Sequence, residues 1–412
     1  MKEQSSSKAP IGTIFLTVLF DMIGLGIAIP VMPSLLFDRE AGFFSASVSD
    51  DYISIIFGFL IASYPLMQFF GAPILGNLSD RYGRRPILSL SLVGTAIGYF
   101  LFAVSIWKHD LILMFFSRML PGFMGGNISI VYSALADVSK PEEKPRNFGL
   151  VGAAFGIGFI IGPTIGGILA DPEIYSGFSY VTPFLFAAGL AVFNFFLVQR
   201  RFPETLRERK REPVHLFSGL INLAKAFRWE QLRTIFTVAL LLSLGFAFFT
   251  QFFAVYLIQN FGYEQRDIGF LYGWIGLWLV ITQGVIVRHL SSRFAAAQII
   301  SLSSFLLAMA LGALLLPENS YWFYLINPFV AVFQGITAPN LTAVISNQVG
   351  SDRQGEILGI QQSMRSLGTA VPPIIAGWLN AMDSRYPLMA AMGITLLGWA
   401  TYFFFFREAK QR

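Results

Sequence analysis

Residues 57–104 read FGFLIASYPLMQFFGAPIL GNLSDRYGRRP ILSLSLVGTAIGYFLFAV, and their pattern decides the fold. The two outer runs are each close to the ~20 apolar residues that a helix needs to cross a bilayer. Between them the short loop Gly76–Pro86 holds four charges, Asp80, Arg81, Arg84 and Arg85. Such a cluster is tolerable only where the chain leaves the apolar phase. The stretch is therefore a pair of membrane helices joined by a charged turn.

The whole chain repeats that pattern. Of its 412 residues 55% are hydrophobic and only 13% charged, against roughly a quarter charged in soluble domains. Apolar runs near 11–37, 54–75, 87–106, 110–136, 147–170, 178–199, 233–258, 268–287, 297–316, 321–346, 357–380 and 386–406 make twelve candidate spans. None alternates with the period of two that a membrane β-barrel requires. The fold class expected is an all-α membrane protein with twelve transmembrane helices. The first run carries Asp21 and no small-residue cleavage site follows it, so it reads as a retained span and not a signal peptide.

The net charge of +5 suggests nucleic acid until its placement is considered. With the amino terminus inside, only Arg39, Lys108, Arg266 and Arg385 fall in outer loops, Arg118 and Arg365 lie within spans, and the other 23 Lys/Arg are cytoplasmic. This is the positive-inside asymmetry. Both termini are expected in the cytoplasm, and the partners expected are the lipid bilayer, a small-molecule substrate and protons, with no nucleic acid.

One charged segment interrupts the apolar pattern. RRFPETLRERKREP leads into HLFSGLINLAKAFRW, where Leu216, Leu220, Leu223 and Phe227 recur at helical spacing, as in an amphipathic helix lying on the inner surface. It gives three expected parts: a six-helix bundle at 1–200, a cytoplasmic linker at 201–232 and a second six-helix bundle at 233–412. The halves resemble one another. Residues 73–92 align without gaps on 285–304, matching Leu78, Ser79, Arg81 and Ile87 with Leu290, Ser291, Arg293 and Ile299. Residues 149–167 align on 359–377, matching Gly158, Pro163 and Gly167 with Gly368, Pro373 and Gly377. A parallel six-plus-six repeat is one of the plans of secondary transporters.

These residues carry a resemblance. GNLSDRYGRRPIL at 76–88 resembles the signature loop between spans two and three of the major facilitator superfamily. FDMIGLGIAIPVMP at 20–33 and GIGFIIGPTIGG at 156–167 resemble the first-span pattern and the fifth-span antiporter motif of its drug/proton antiporters, especially the tetracycline/proton antiporter branch. The resemblance implies the major facilitator fold, two pseudo-symmetric bundles working by alternating access. It also implies residence in the bacterial inner membrane. Two departures stand out. Pro121 stands where the fourth-span motif usually has glutamine, and the ninth span lacks the acid found in the tetracycline branch. The second departure weighs against tetracycline as cargo.

Within the loop, Gly76 and Gly83 permit close helix contact and a sharp turn. Asp80, Arg81, Arg84 and Arg85 form a charge cluster at the inner surface, and Asp137, at the inner end of span four, is the natural partner of Arg84. By resemblance, Asp80 rests against the positive end of span eleven near Glu356. Together these residues read as a conformational latch. The second half keeps the register but has Arg288 for Gly76, Ser292 for Asp80 and alanines for Gly83, Arg84 and Arg85, so the latch is expected in one half only.

Ionisable groups inside spans are costly and mark function by default. Asp21 is the only acid well inside a span, and Arg118 is the cation expected beside it, so both are assigned to proton coupling. Pro121 is expected to kink the fourth span. Arg365 has no acid in its half and is expected to hold an anionic group of the substrate. Asn127, Gln251, Gln283, Gln334, Asn340 and Gln361, with Gln68, supply further polar groups for substrate binding. In the fifth span, Gly152, Gly156, Gly158, Gly162, Gly166 and Gly167 make small-xxx-small spacings that bring helices close. With Pro163 they form a seal, as the antiporter motif implies.

Several function classes find no support. There is no GxxxxGK[ST] loop for nucleotide drive. Cysteine is absent and the three histidines are scattered, so no metal cluster is expected. No nucleophile elbow or carboxylate pair appears, and no cofactor is called for. The reading is a monomeric, proton-coupled exporter of a small amphipathic organic compound, not an enzyme. Its alternatives are a proton symporter or facilitator for a metabolite, and a non-coupled lipid scramblase or scaffold.

Overall fold

A computed structural model describes residues 8–406 apart from 46, 140–143, 207–220, 222–223, 225–226, 230–231, 292, 347 and 349–353. Among the described residues the regular structure is helical throughout. In chain order the helices are α1 Lys8–Phe37, α2 Asp50–Tyr82, α3 Arg84–Lys108, α4 Leu111–Met124, α5 Ile128–Val138, α6 Lys144–Ala170 and α7 Thr182–Arg201. They continue as α8 Arg233–Phe261, α9 Gln265–Ile281, α10 Val287–Ser291, α11 Ala296–Ala313, α12 Tyr321–Ser346, α13 Gln354–Ala370, α14 Pro372–Met382 and α15 Tyr386–Phe405. The amphipathic helix expected around Leu216, Leu220 and Leu223 lies outside the described residues.

Among the described residues, eleven helical stretches are long and apolar enough to cross a membrane. The twelfth expected span, 357–380, is present in two pieces, α13 and α14, broken at Val371. The cause is local. Pro372 and Pro373 lack the N–H groups that would continue the ladder, and the last regular bond, Val371 N–H to the Leu367 carbonyl (3.2 Å), gives way to a tighter one from Ile374 to Val371 (3.2 Å). Span four is also irregular. α4 runs through Pro121, and the backbone tightens into a 3₁₀ turn at Gly125–Asn127 before α5 begins. The disturbance expected at Pro121 therefore falls one turn later, beside Asn127. A π turn at Thr282–Ile286, which includes Gln283, separates α9 from α10.

The chain divides into two compact units. The first comprises Met1–Ser45, Ser63–Leu216 and Gln265–Gly273, and the second Ala46–Ala62, Phe217–Glu264 and Trp274–Arg412. In the first, α1 packs against α6 and α7, and α3 against α4 and α7. Its inner core joins Ile14 and Val18 of α1, Leu88 and Leu92 of α3, Ile130 and Val131 of α5 and Val198 of α7, all buried. In the second, α8 packs against α15 and α13, and α11 against α12 and α15. Phe236, Leu242, Ile300, Ile345, Ile360 and Met364 share its core.

Glycines set the closest contacts. Gly158, Gly162 and Gly166, four residues apart on α6, face Met22, Ile23 with Gly26, and Ile27 of α1. A Cβ at Gly162 would stand 2.7 Å from the Ile23 carbonyl oxygen and 2.8 Å from Gly26 Cα. Within the first unit Gly167 also meets the opening turns of α9 reciprocally, since a Cβ on either Gly167 or Gly269 would lie 3.3 Å from the other's Cα. The second unit holds a matching crossing of α2 and α14 at Gly58 and Gly377, at 3.2 and 3.3 Å.

Candidate functional site

Asp21 lies midway along α1, on the part that the α6 glycines hold close. Its two carboxylate oxygens accept from two amides on different elements. Asn127 Nδ2 donates to Oδ2 at 2.8 Å, and Asn194 Nδ2, from α7, donates to Oδ1 at 3.3 Å and to the Thr17 carbonyl at 3.1 Å. Asn127 reaches α1 because it closes the 3₁₀ turn, and that turn forms where Gly125 and Gly126 press on α2. A Cβ on Gly126 would stand 2.7 Å from Ala72 Cα. Gln68 ties the same turn down by donating to the Gly125 carbonyl at 3.0 Å.

The expected Asp21–Arg118 pair is not formed. Arg118 is buried, its guanidinium lies 5.0 Å from the centre of the Tyr64 ring, and its Nε and Nη1 have no hydrogen-bond partner. The carboxylate has Asn127 and Asn194 as its partners instead. Tyr64 and Tyr99 line the same region. The Tyr99 hydroxyl lies over Gly24, where a Cβ would be 2.8 Å away, and the Tyr64 hydroxyl lies over Gly125 at 2.5 Å from such a Cβ. The arrangement is an acid held by amides and a buried cation set over an aromatic face, itself an attractive partner for a guanidinium.

The signature loop forms a second constellation. Gly83 breaks the chain between α2 and α3 at φ 113°, in the region that favours glycine. Arg84, buried despite its charge, pairs with Asp80 one turn back, meets Asp137 at 3.1 Å and donates to Ser79 Oγ at 2.7 Å. The expected Arg84–Asp137 contact is thus present. Asp80 takes Arg84 as its partner, and Glu356 has no described side chain. Gly76 sits against Ser129, where a Cβ would be 3.2 Å from Oγ. Arg85 reaches back to α7, donating to both the backbone and side-chain oxygens of Gln199, and Arg81 lies over the Tyr82 ring.

Glu204, just past α7, is a member of this cluster that the sequence reading missed. Its Oε1 accepts from the backbone N–H of Arg84 at 2.8 Å, and its Oε2 from that of Arg85 at 3.2 Å. It therefore caps α3, whose cap residue Gly83 has no side chain to do so, and its charge complements the helix dipole. Thr205 donates to Asp137 Oδ2 at 3.3 Å. A partner about 120 residues away leaves no local pattern to read.

The remaining candidates divide into engaged and unengaged groups. Asn340 donates to the Ile336 carbonyl at 2.8 Å and Gln361 to Thr342 Oγ1 at 2.8 Å. Gln251 and Gln334 are half-buried, Gln283 and Arg365 are exposed, and none of these four side chains makes a hydrogen bond among the described residues. The fifth-span residues Gly152 and Gly156 lie on α6 with the rest of their motif, and the Pro163 ring packs on Gly26. Beyond that motif, buried Asp171 meets Arg266 at 3.1 Å, with Glu173 at 3.5 Å.

Buried ionisable groups inside a bundle of membrane spans, with repeated tight helix crossings, define a class: a polytopic helical transporter. Comparison with known proteins places it further. The model of the Major Facilitator Superfamily matches residues 14–372 and 289–412. The chain is 31% identical over 376 residues to the tetracycline resistance protein, class C, of Escherichia coli, covering 89% of each. It is 28% identical over 389 residues to the quinolone resistance protein NorA of Staphylococcus aureus, covering 93% of each. Its fold matches the human organic anion transporter MFSD10 (TETRAN) with a TM-score of 0.73 at 23% identity, over 97% of this chain and 100% of that one. It also matches a D-xylose-proton symporter with a TM-score of 0.74 at 15% identity, over 98% and 99%.

The chain belongs to the Major Facilitator Superfamily and has its fold; it is an integral membrane transporter, not an enzyme. Within the superfamily it is similar to the drug/proton antiporters, including the tetracycline branch that the motifs indicated.

Proposed function

We propose that the protein exports a small amphipathic organic compound in exchange for protons by alternating access, with Asp21 as the proton-carrying group. The observation that carries this reading is the setting of Asp21. It is an acid well inside a span, with both oxygens on the amides of Asn127 and Asn194 and without an ion pair. An ion pair would fix the charge, whereas neutral amide donors leave protonation open. Taking up a proton removes the charge that strengthens these hydrogen bonds. The hold of α1 on α5 and α7 then changes with each proton bound and released.

Arg118 adds a permanent positive charge beside this site, and its two unpartnered nitrogens leave that charge uncompensated. Arg365 is a second cation, exposed and with no ion-pair partner among the described residues. Two unpaired cations against one acid favour a substrate with an anionic group, held in part by Arg365, with Gln251, Gln283 and Gln334 as polar contacts. With Arg365→Ala, transport of anionic compounds is expected to fall about tenfold, the loss of one charged contact, while neutral compounds move unchanged. Equal transport of both classes would refute the role.

The Arg84 cluster is the conformational latch. It ties α2, α3 and α5 together at the inner surface in one state and separates when the inside opens. Residence in a bacterial inner membrane, cytoplasmic termini and a monomeric state complete the proposal. Relatives named for tetracycline and quinolone resistance support export over uptake. Inverted vesicles decide the direction. An imposed inward-acidic gradient is expected to drive accumulation of a cargo compound inside them, and efflux under the same gradient would favour a symporter. Movement of lipid that ignores both the gradient and Asp21→Asn would favour a scramblase.

A further inference from the structure

Asn194 is fully buried in the run AVFNFFL of α7. An amide placed there among phenylalanines is costly unless satisfied, yet only half of it is. Its Nδ2 serves both Asp21 Oδ1 and the Thr17 carbonyl, while its Oδ1 has no partner. Thr17 Oγ1, one turn before Asp21 on the same helix, is buried and unpartnered as well. Two idle polar atoms thus sit beside the one acid of the span. Buried acceptors without donors are rare in folded proteins.

The idle acceptor has a use in the other charge state. A carboxylate only accepts hydrogen bonds, but a carboxylic acid carries one O–H that must be given away. An amide has a donor end and an acceptor end of nearly the same shape, so a half-turn about its terminal bond exchanges them at Asp21 and gives up the Nδ2 bond to the Thr17 carbonyl. The groups facing Asp21 from the surrounding helices are few. They are Asn127 before α5, Tyr64 on α2, Tyr99 on α3, Arg118 on α4 and Asn194 on α7, and α6 has no titratable residue between Val151 and Ala170. Arg118 has donors only, so it cannot receive the acid proton.

We propose that Asn194 is a positioning residue for the proton-carrying carboxyl, donating to Asp21 while it is charged and, with its amide turned, accepting from it once protonated. The inference rests on the reading of Asp21 as the proton site. The step is a simple protonation: an aqueous proton forms one O–H bond on Asp21 Oδ1, and no other bond is made or broken. The contact between α1 and α7 then persists in both states. Asn127, holding the other oxygen, is the contact that protonation weakens, so motion is directed to the α1–α5 side.

Infrared difference spectra of the protein in liposomes, recorded between high and low pH, test this. The carbonyl stretch of protonated Asp21 is the band lost in Asp21→Asn. In Asn194→Leu, of similar size but without an amide, the band is expected to shift to the higher frequency of a free carboxylic acid, and proton-driven transport to fall about tenfold. In the wild-type protein, grown with carbonyl-labelled asparagine, a side-chain amide band is expected to change in step with the Asp21 band. That second measurement needs no variant to fold. An unmoved Asp21 band in Asn194→Leu, or a silent asparagine signal, overturns the role of Asn194. The absence of any Asp21-dependent band overturns instead the assignment of Asp21 as proton site.

Discussion

At the residue scale, a charge inside an apolar bundle has to be held by a neighbour. Asp21, Arg118 and Arg84 stand out because each is expensive in an apolar setting. Counting charges pairs Asp21 with Arg118, but the structure gives the carboxylate to Asn127 and Asn194 and the guanidinium to Tyr64. Asn194 has no such signal, being one amide among several in the spans. Glu204 was hidden for another reason, because a side chain capping a distant helix leaves no periodicity. Its structural role is testable. Glu204→Ala is expected to lower stability by about 0.5–1 kcal/mol, the usual cost of a lost cap, seen as a lower unfolding midpoint in detergent. Asp80→Asn removes one of the two acids on Arg84, leaving a buried arginine with less compensation. Slowed transport with normal insertion is expected, and wild-type rates would remove Asp80 from the latch.

At the scale of the helix, glycine spacing and proline position decide most of what is seen. The small-xxx-small pattern of α6 was legible, and the contacts of Gly158, Gly162 and Gly166 with α1 follow from it. The additional contact of Gly167 with Gly269 was not legible, because it depends on where α9 begins. Gly162→Leu would drive a side chain into the α1 backbone beside Gly26 and loosen the helix carrying Asp21. Vesicles bearing it are expected to leak protons several-fold faster than wild type, measured with an entrapped pH dye, and a tight vesicle would refute the seal. Twelve spans were read, and among the described residues eleven are long and apolar enough to cross a membrane. The break at Val371 comes from two adjacent prolines, whose presence the hydropathy pattern averages away.

At the scale of the whole molecule, composition and the positive-inside pattern specify the class, and the signature loop specifies the superfamily. Both follow from bulk physics, the cost of charge in lipid and the length of a bilayer, so they survive without coordinates. The coupling mechanism does not, because it depends on which amide meets which oxygen. In the proposed mechanism proton movement and substrate movement are joined at Asp21. Liposomes containing the protein and a pH dye, presented with a panel of anionic and neutral amphipathic compounds, test it most directly. Wild type is expected to move protons whenever it moves a cargo compound. Asp21→Asn is expected to bind the same compound and exchange it across the membrane without any pH change. Proton movement that persists in Asp21→Asn at the wild-type rate would contradict the account.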